Sequence, residues 1–379
     1  MTAEAASGEG AIPRSSAIGA YRLLWLAVIF DVLAFGVGFG WDRRWHATHP
    51  FEEFLSPPHL FIYSMHFLAT LMLMVITFDD RWRAQFGRGF RLFPFPFAIP
   101  GAIAIAGGGF VVTAIAGVLD GVWHTRFGLD ETAWSLPHAM LGWGIFVGFV
   151  GVVACRVAIA ERFPIGWPDA LVFGFLLIAS SIDRFPGPFL NNISIVELET
   201  IRRIPILAVE PPFQHTIRIY EAYDITRLNV LFIPLAALST GLGIRLVQRF
   251  DPRPAVLIPL TALVSYFAPW VPYLVPGAIA AVAGRRLTSW RWLAAAGFAF
   301  GLVTAFLDVA IANGGIGLPL FSAIFAMPTF ALGAWLADKV WTVVTDPQRQ
   351  RVLTFVVVAG LCAPAVTGVI DLVLRARTP

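Results

Sequence analysis

Long apolar runs separated by short polar segments dominate the chain, and their spacing predicts transmembrane helices, which need about 20 mostly apolar residues each. Eleven such spans are expected, at 19–41, 57–78, 98–120, 137–160, 167–183, 214–248, 254–269, 271–284, 290–312, 317–338 and 352–374. The runs are continuous. They lack the alternation over about ten residues that marks a membrane β-barrel. The expected fold is all-α, a polytopic integral membrane helical bundle with a repeated helical hairpin in its N-terminal half. Residues 1–18, rich in Ala, Gly and Ser, read as a disordered tail. Residues 19–248 hold the hairpin repeats (19–78, 98–160 and a degenerate 167–248), and 254–379 hold the remaining transmembrane helices.

Composition agrees: 58% of the 379 residues are hydrophobic and 13% charged, outside the range of a soluble domain. The net charge of +3 comes from arginines dispersed over loops, so nothing points to nucleic acid. Arg14, Arg22, Arg81, Arg83, Arg88, Arg91, Arg156 and Arg162 fall on one side of the expected topology, and Arg245, Arg249, Arg253, Arg285, Arg286, Arg291, Lys339, Arg349 and Arg351 continue that set. The positive-inside rule then makes the N-terminus cytoplasmic in a cell (inner) membrane. No small-residue cleavage site follows the first span, so an uncleaved anchor is expected. Cys155 and Cys362 both lie inside spans and read as small apolar packing residues.

Against this apolar background one polar segment recurs. Residues 42–59 read DRRWHATHPFEEFLSPPH and residues 120–138 read DGVWHTRFGLDETAWSLPH. Asp42, Trp45, His46, Ser56, Pro58 and His59 correspond to Asp120, Trp123, His124, Ser135, Pro137 and His138, and four of the seven histidines fall at these matched positions. Asp42 and His46 stand four apart, so they share a helix face one turn from each other. Proline suits the first turn of the helix that follows, because the amide it lacks has no partner there. Each hairpin brings the end of one helix beside the start of the next, so one carboxylate and two imidazoles converge with a coordination position left open. That is the pattern of a reactive metal. The alternative is that Asp42 pairs with Arg43 or Arg44 and the histidines are interfacial anchors. On the expected topology both segments face the periplasm or exterior.

Other polar residues extend the pattern. His66 lies seven residues beyond His59 and Asp31 eleven before Asp42, each on the same helical face and deeper in the membrane. An acid at mid-span needs a partner. Asp31 and His66 form either a proton path or a buried pair that locks two helices, and both are further metal candidates. His49 reads as a solvated loop residue. Gly107, Gly108, Gly109, Gly144 and Gly148 supply small surfaces for close helix contact. Asp183 and the EPPFQH segment ending in His215 resemble a decayed third copy and are weaker metal candidates. Arg218, Glu221, Asp224 and Arg227 recur every three positions and draw a charged stripe. Asp308 and Asp371 read as helix-packing groups.

The D-x-x-W-H segment, short loop and P-P-H or L-P-H helix start resemble the copper-binding segment of the C subunit of the copper membrane monooxygenases, the particulate methane and ammonia monooxygenases. The resemblance covers about 20 residues per copy, and here the segment is duplicated. It implies copper held by Asp42, His46 and His59, with Asp120, His124 and His138 matching after one inserted residue. Three functions follow as expectations. The first is a copper monooxygenase-like component acting on a small apolar substrate, with partner subunits supplying electrons. Trp41, Trp45, Phe51, Phe54, Trp123, Phe127 and Trp134 would give it a dry rim. The second is a zinc-dependent membrane hydrolase. The third is a transporter or metal-handling assembly factor.

Overall fold

The structure is a computed structural model that describes residues 14–46, 54–127, 136–184, 232–267, 274–283, 289–306, 320–321 and 323–345. Residues 214–231 of the span expected at 214–248, the span expected at 352–374, the loop residues Phe51 and Trp134, and His49, Asp308, Asp371, Cys362 and His215 lie outside these residues. The side chains of His46, His124, Phe127 and Asp183 lie outside what is described as well.

The chain opens with α1 (Arg14–Val32), passes through a π turn (Leu33–Gly38) and continues as α2 (Phe39–His46). Then come α3 (Pro57–Phe78), the short α4 (Asp80–Arg83), a two-stranded antiparallel pair of β1 (Gly89–Arg91) and β2 (Ala98–Pro100), α5 (Gly101–Phe127), α6 (Leu136–Ala158) and α7 (Trp167–Arg184). Later helices are α8 (Phe232–Phe250), α9 (Leu257–Phe267), α10 (Leu274–Ala283), α11 (Trp290–Val303) and α12 (Ala326–Thr345). By length and composition, four helical stretches among the described residues can cross a bilayer: Ser15–Asp42, Pro57–Phe78, Gly101–Trp123 and Leu136–Ala158. These are the two hairpins of the repeat. The protein is a multi-span helical membrane protein. The described parts of α9 and α10 are 11 and 10 residues long, roughly 15–17 Å at 1.5 Å per residue, about half a hydrocarbon core.

Three boundaries differ from the sequence expectation. The first helix starts at Arg14, within the expected disordered tail, because its opening turns pack on the protein: Ala17 and Ala20 are buried, and Gly19 lies under the Trp82 ring. The third span runs to Phe127 instead of ending at Asp120, so Asp120 and His124 stand on one continuous helix. Within the span expected from 317, Leu320, Phe321 and Ala323 are helical, and a turn at Ile324 and Phe325 parts them from the last described helix, which starts at Ala326.

Glycines set the closest contacts. A Cβ at Gly109 would lie 2.2 Å from the backbone of Gly148, and one at Gly151 would lie 2.2 Å from that of Ala106, so α5 and α6 meet backbone to backbone. Gly333 of α12 similarly meets the Leu238 carbonyl of α8. Gly107, expected in such a contact, has open space beside it.

The charges at the far ends of the hairpins are locked in pairs. Arg156 is fully buried, and its guanidinium makes two bonds to Asp169, at 2.6 and 3.0 Å, while Asp169 also accepts from the Gly166 amide and so caps the start of α7. Asp79, which ends α3 and caps α4, is held at a pKa of about 2 by the adjoining Arg81 guanidinium. Arg83 lies over the Phe97 ring and donates to the Thr77 carbonyl.

Candidate metal centre

Ser56-Pro57-Pro58-His59 shows how a sequence aims one side chain. Ser56 is the N-cap of α3, and its hydroxyl accepts from the His59 amide at 3.4 Å, while the two prolines fill positions that have no amide partner to lose. His59 is thereby fixed in the first turn. Its Nδ1 stands 3.1 Å from the Phe54 carbonyl, and because a carbonyl only accepts, Nδ1 carries the proton. Neutral imidazole has a single N–H, so the Nε2 lone pair is left on the other side of the ring. There it faces Asp42 Oδ1 of α2 at 3.2 Å.

A lone pair and a carboxylate oxygen at this separation need a cation between them, either a proton or a metal. Two ligand atoms about 2.1 Å from one ion lie roughly 3.0–3.6 Å apart for angles from 90° to 120°. The pair fits that bite, and a ligating histidine typically donates its other N–H to a carbonyl, as His59 does. The second copy brings the same two residue types together, through the other ring nitrogen of its histidine. His138 opens α6 and places Nδ1 3.6 Å from Asp120 Oδ1 of α5, beyond hydrogen-bond reach and within the same bite. In both copies the carboxylate and imidazole are half-buried.

The two pairs lie at the same end of the bundle and share a wall. The Phe54 ring packs on Gly121, next to Asp120, where a Cβ would come within 2.9 Å of it, while its own carbonyl holds His59. Tyr63, one turn beyond His59 on α3, stacks on it at 5.8 Å, and Gly117 of α5 lies against its ring. Of the expected aromatic rim, Trp123 is buried, Trp41 is exposed beside Phe61, and Phe54 sits between the copies.

Deeper in the membrane, Asp31 and His66 meet as the sequence placed them, with Nδ1 3.0 Å from Oδ1 and both residues buried. The π turn lies between Asp31 and Asp42, so the two do not follow the phase of one straight α-helix. Both nevertheless reach the face of α3 that carries His59 and His66, seven residues apart. Among the described residues no group of three or more His, Cys, Asp or Glu side chains is arranged to hold a metal. The third member expected in each copy, His46 or His124, is one of the side chains left undescribed. The sequence reading missed the Ser56 cap and the Phe54 carbonyl; the serine of S-P-P-H was a visible signal, whereas a backbone carbonyl leaves none.

Compared with protein-family models, curated proteins and solved structures, the chain matches none of them.

Proposed function

We propose that the protein is a metal-binding membrane protein carrying one ion per repeat, held by Asp42, His46 and His59 and by Asp120, His124 and His138. The observation that carries this reading is the repeated convergence of a carboxylate from one helix end and an imidazole from the next helix start, at 3.2 and 3.6 Å. Copper is the ion proposed, on the resemblance of the segment to the copper-binding segment of the membrane monooxygenases, with zinc the alternative for the same donor set. Bound copper would supply redox chemistry toward a small apolar molecule, with partner subunits providing electrons. The residues themselves fix the ligand geometry: the Phe54 carbonyl sets the His59 tautomer, and the Phe54 and Tyr63 rings pack beside His59.

The full topology belongs to the same proposal: eleven spans, a cytoplasmic N-terminus and metal sites at the outer face of the cell membrane. The cluster of Arg81, Arg83, Arg156 and Arg162 at the ends of the hairpins remote from the Asp–His pairs supports this orientation. Elemental analysis of detergent-purified protein tests the sites. His46→Ala with His59→Ala is expected to remove one metal ion per chain, and His124→Ala with His138→Ala a second. Unchanged metal content in the first double variant would reject the assignment.

A further inference from the structure

The β1–β2 hairpin joins the two repeats at the end of the bundle remote from the Asp–His pairs. In its antiparallel register Phe90 faces Ile99, and Arg91 faces Ala98. Side chains alternate across a strand, so the first pair turns inward, where Ile99 is buried, and Arg91 and Ala98 lie on the outer, exposed face. The Phe95 amide donates to the Leu92 carbonyl at 2.8 Å, closing a turn that carries Phe93 at its tip, 95% exposed.

The end of α3 sets the depth of this tip. That helix has 22 residues, a length of about 33 Å that matches the hydrocarbon core of a bilayer, so its last residue, Phe78, lies at one membrane boundary. Phe67, Leu71, Met74 and Phe78 are all exposed and follow one another at helical spacing, a single lipid-facing stripe that ends at Phe78. Onto that end pack Phe95 and Phe97, with ring centroids 6.0 and 5.6 Å from Phe78. Phe97 also lies under the Arg83 guanidinium, 4.0 Å from its centroid. The hairpin is therefore fastened to the lipid-facing edge of the bundle. Phe93 is two residues from Phe95, a reach of at most about 7 Å, which holds it near the level where headgroups meet acyl chains.

Two cations accompany the ring. Arg88 and Arg91 are exposed, no Asp or Glu occurs between Asp80 and Asp120, and among the described residues neither arginine makes a hydrogen bond or ion pair. Aromatic rings are enriched at the membrane interface, and a guanidinium suits bidentate contact with phosphate. The adjoining stripe of α3 is covered by acyl chains in any bilayer, so lipid is the occupant that reaches Phe93 and the arginines together.

We propose that the hairpin is an interfacial anchor for anionic phospholipid: Phe93 enters the boundary between headgroups and acyl chains, and Arg88 and Arg91 hold lipid phosphates. The anchor depends neither on the metal sites nor on which way the chain crosses the membrane. Full-length protein with Cys155→Ala, Cys362→Ala and Phe93→Cys is given a nitroxide label at position 93, where full exposure leaves room for it. It is placed in nanodiscs of phosphatidylcholine alone or mixed with an equal amount of phosphatidylglycerol. Oxygen partitions into acyl chains and a neutral nickel chelate stays in water, so the relaxation each causes reports the depth of the label. With phosphatidylglycerol present, the label is expected to be open to oxygen and shielded from the chelate. Exposure to the chelate should rise at least about threefold in phosphatidylcholine alone, and as much in the mixed lipid when Arg88→Gln and Arg91→Gln are added, because each arginine is drawn to an anionic surface. A label open to the chelate in both lipids would place Phe93 in water, and one shielded from oxygen and chelate alike would place it against protein. Shielding that ignores both phosphatidylglycerol and the arginines would remove the anionic-lipid contact, and any of these three results would overturn the proposal.

Discussion

Asp42→Ala is expected to weaken metal binding by at least ~100-fold while leaving the second repeat loaded. Loss of groups that merely orient a ligand costs about 10–100-fold in affinity, and Asp42 is proposed as a ligand itself, 3.2 Å from His59 Nε2. Its removal also strands a lone pair whose direction is fixed by the Phe54 carbonyl. Titration of the metal-stripped protein against a chelator of known affinity, in wild type and variant, measures the change. An affinity within threefold of wild type at both sites would show that Asp42 is not a ligand. Asp42→Asn separates charge from shape: it keeps an oxygen donor but removes the charge, so its affinity should fall between the other two.

The second large effect is on stability. Asp169→Ala leaves the fully buried Arg156 guanidinium without its carboxylate and frees the Gly166 amide. Removing one partner of such a pair costs about 3–5 kcal/mol, because a charge remains where water cannot reach it. Denaturation in detergent should show that loss, whereas replacing both partners, with Arg156→Met and Asp169→Leu, should recover most of it. A loss below about 1 kcal/mol in the single variant would mean that water reaches the site. The metal content of folded protein should be unchanged, since this pair lies at the end of α6 remote from His138.

How far the sequence revealed these features depended on what signals them. The second span was legible to the residue, because Pro57-Pro58 open its apolar run and the run ends at Phe78, before the charged Asp79 and Asp80. The Asp–His pairings were legible too, since helical spacing and a two-helix hairpin suffice to place Asp42 by His59, Asp120 by His138 and Asp31 by His66. The extension of α5 to Phe127 was not, because the apolar count ends at Asp120 while helical hydrogen bonding continues through the polar motif. The π turn at Leu33–Gly38 escaped for a similar reason: LAFGVG is as apolar as its surroundings, and hydropathy does not encode helical pitch. Arg156 read only as one of the cations that mark orientation, and only the fold reveals Asp169 buried beside it. A backbone acceptor such as the Phe54 carbonyl, which decides the tautomer of His59, leaves no trace in the sequence.

Electron paramagnetic resonance of the purified, mildly oxidised protein tests the central claim, one metal ion per Asp–His–His segment, most directly. The account predicts a type-2 copper signal with couplings to imidazole nitrogens, which loses about half its intensity in His59→Ala and disappears when His138→Ala is added. A silent spectrum from protein carrying stoichiometric zinc would contradict the assignment to copper, and an undiminished copper signal in the double variant would contradict the sites themselves.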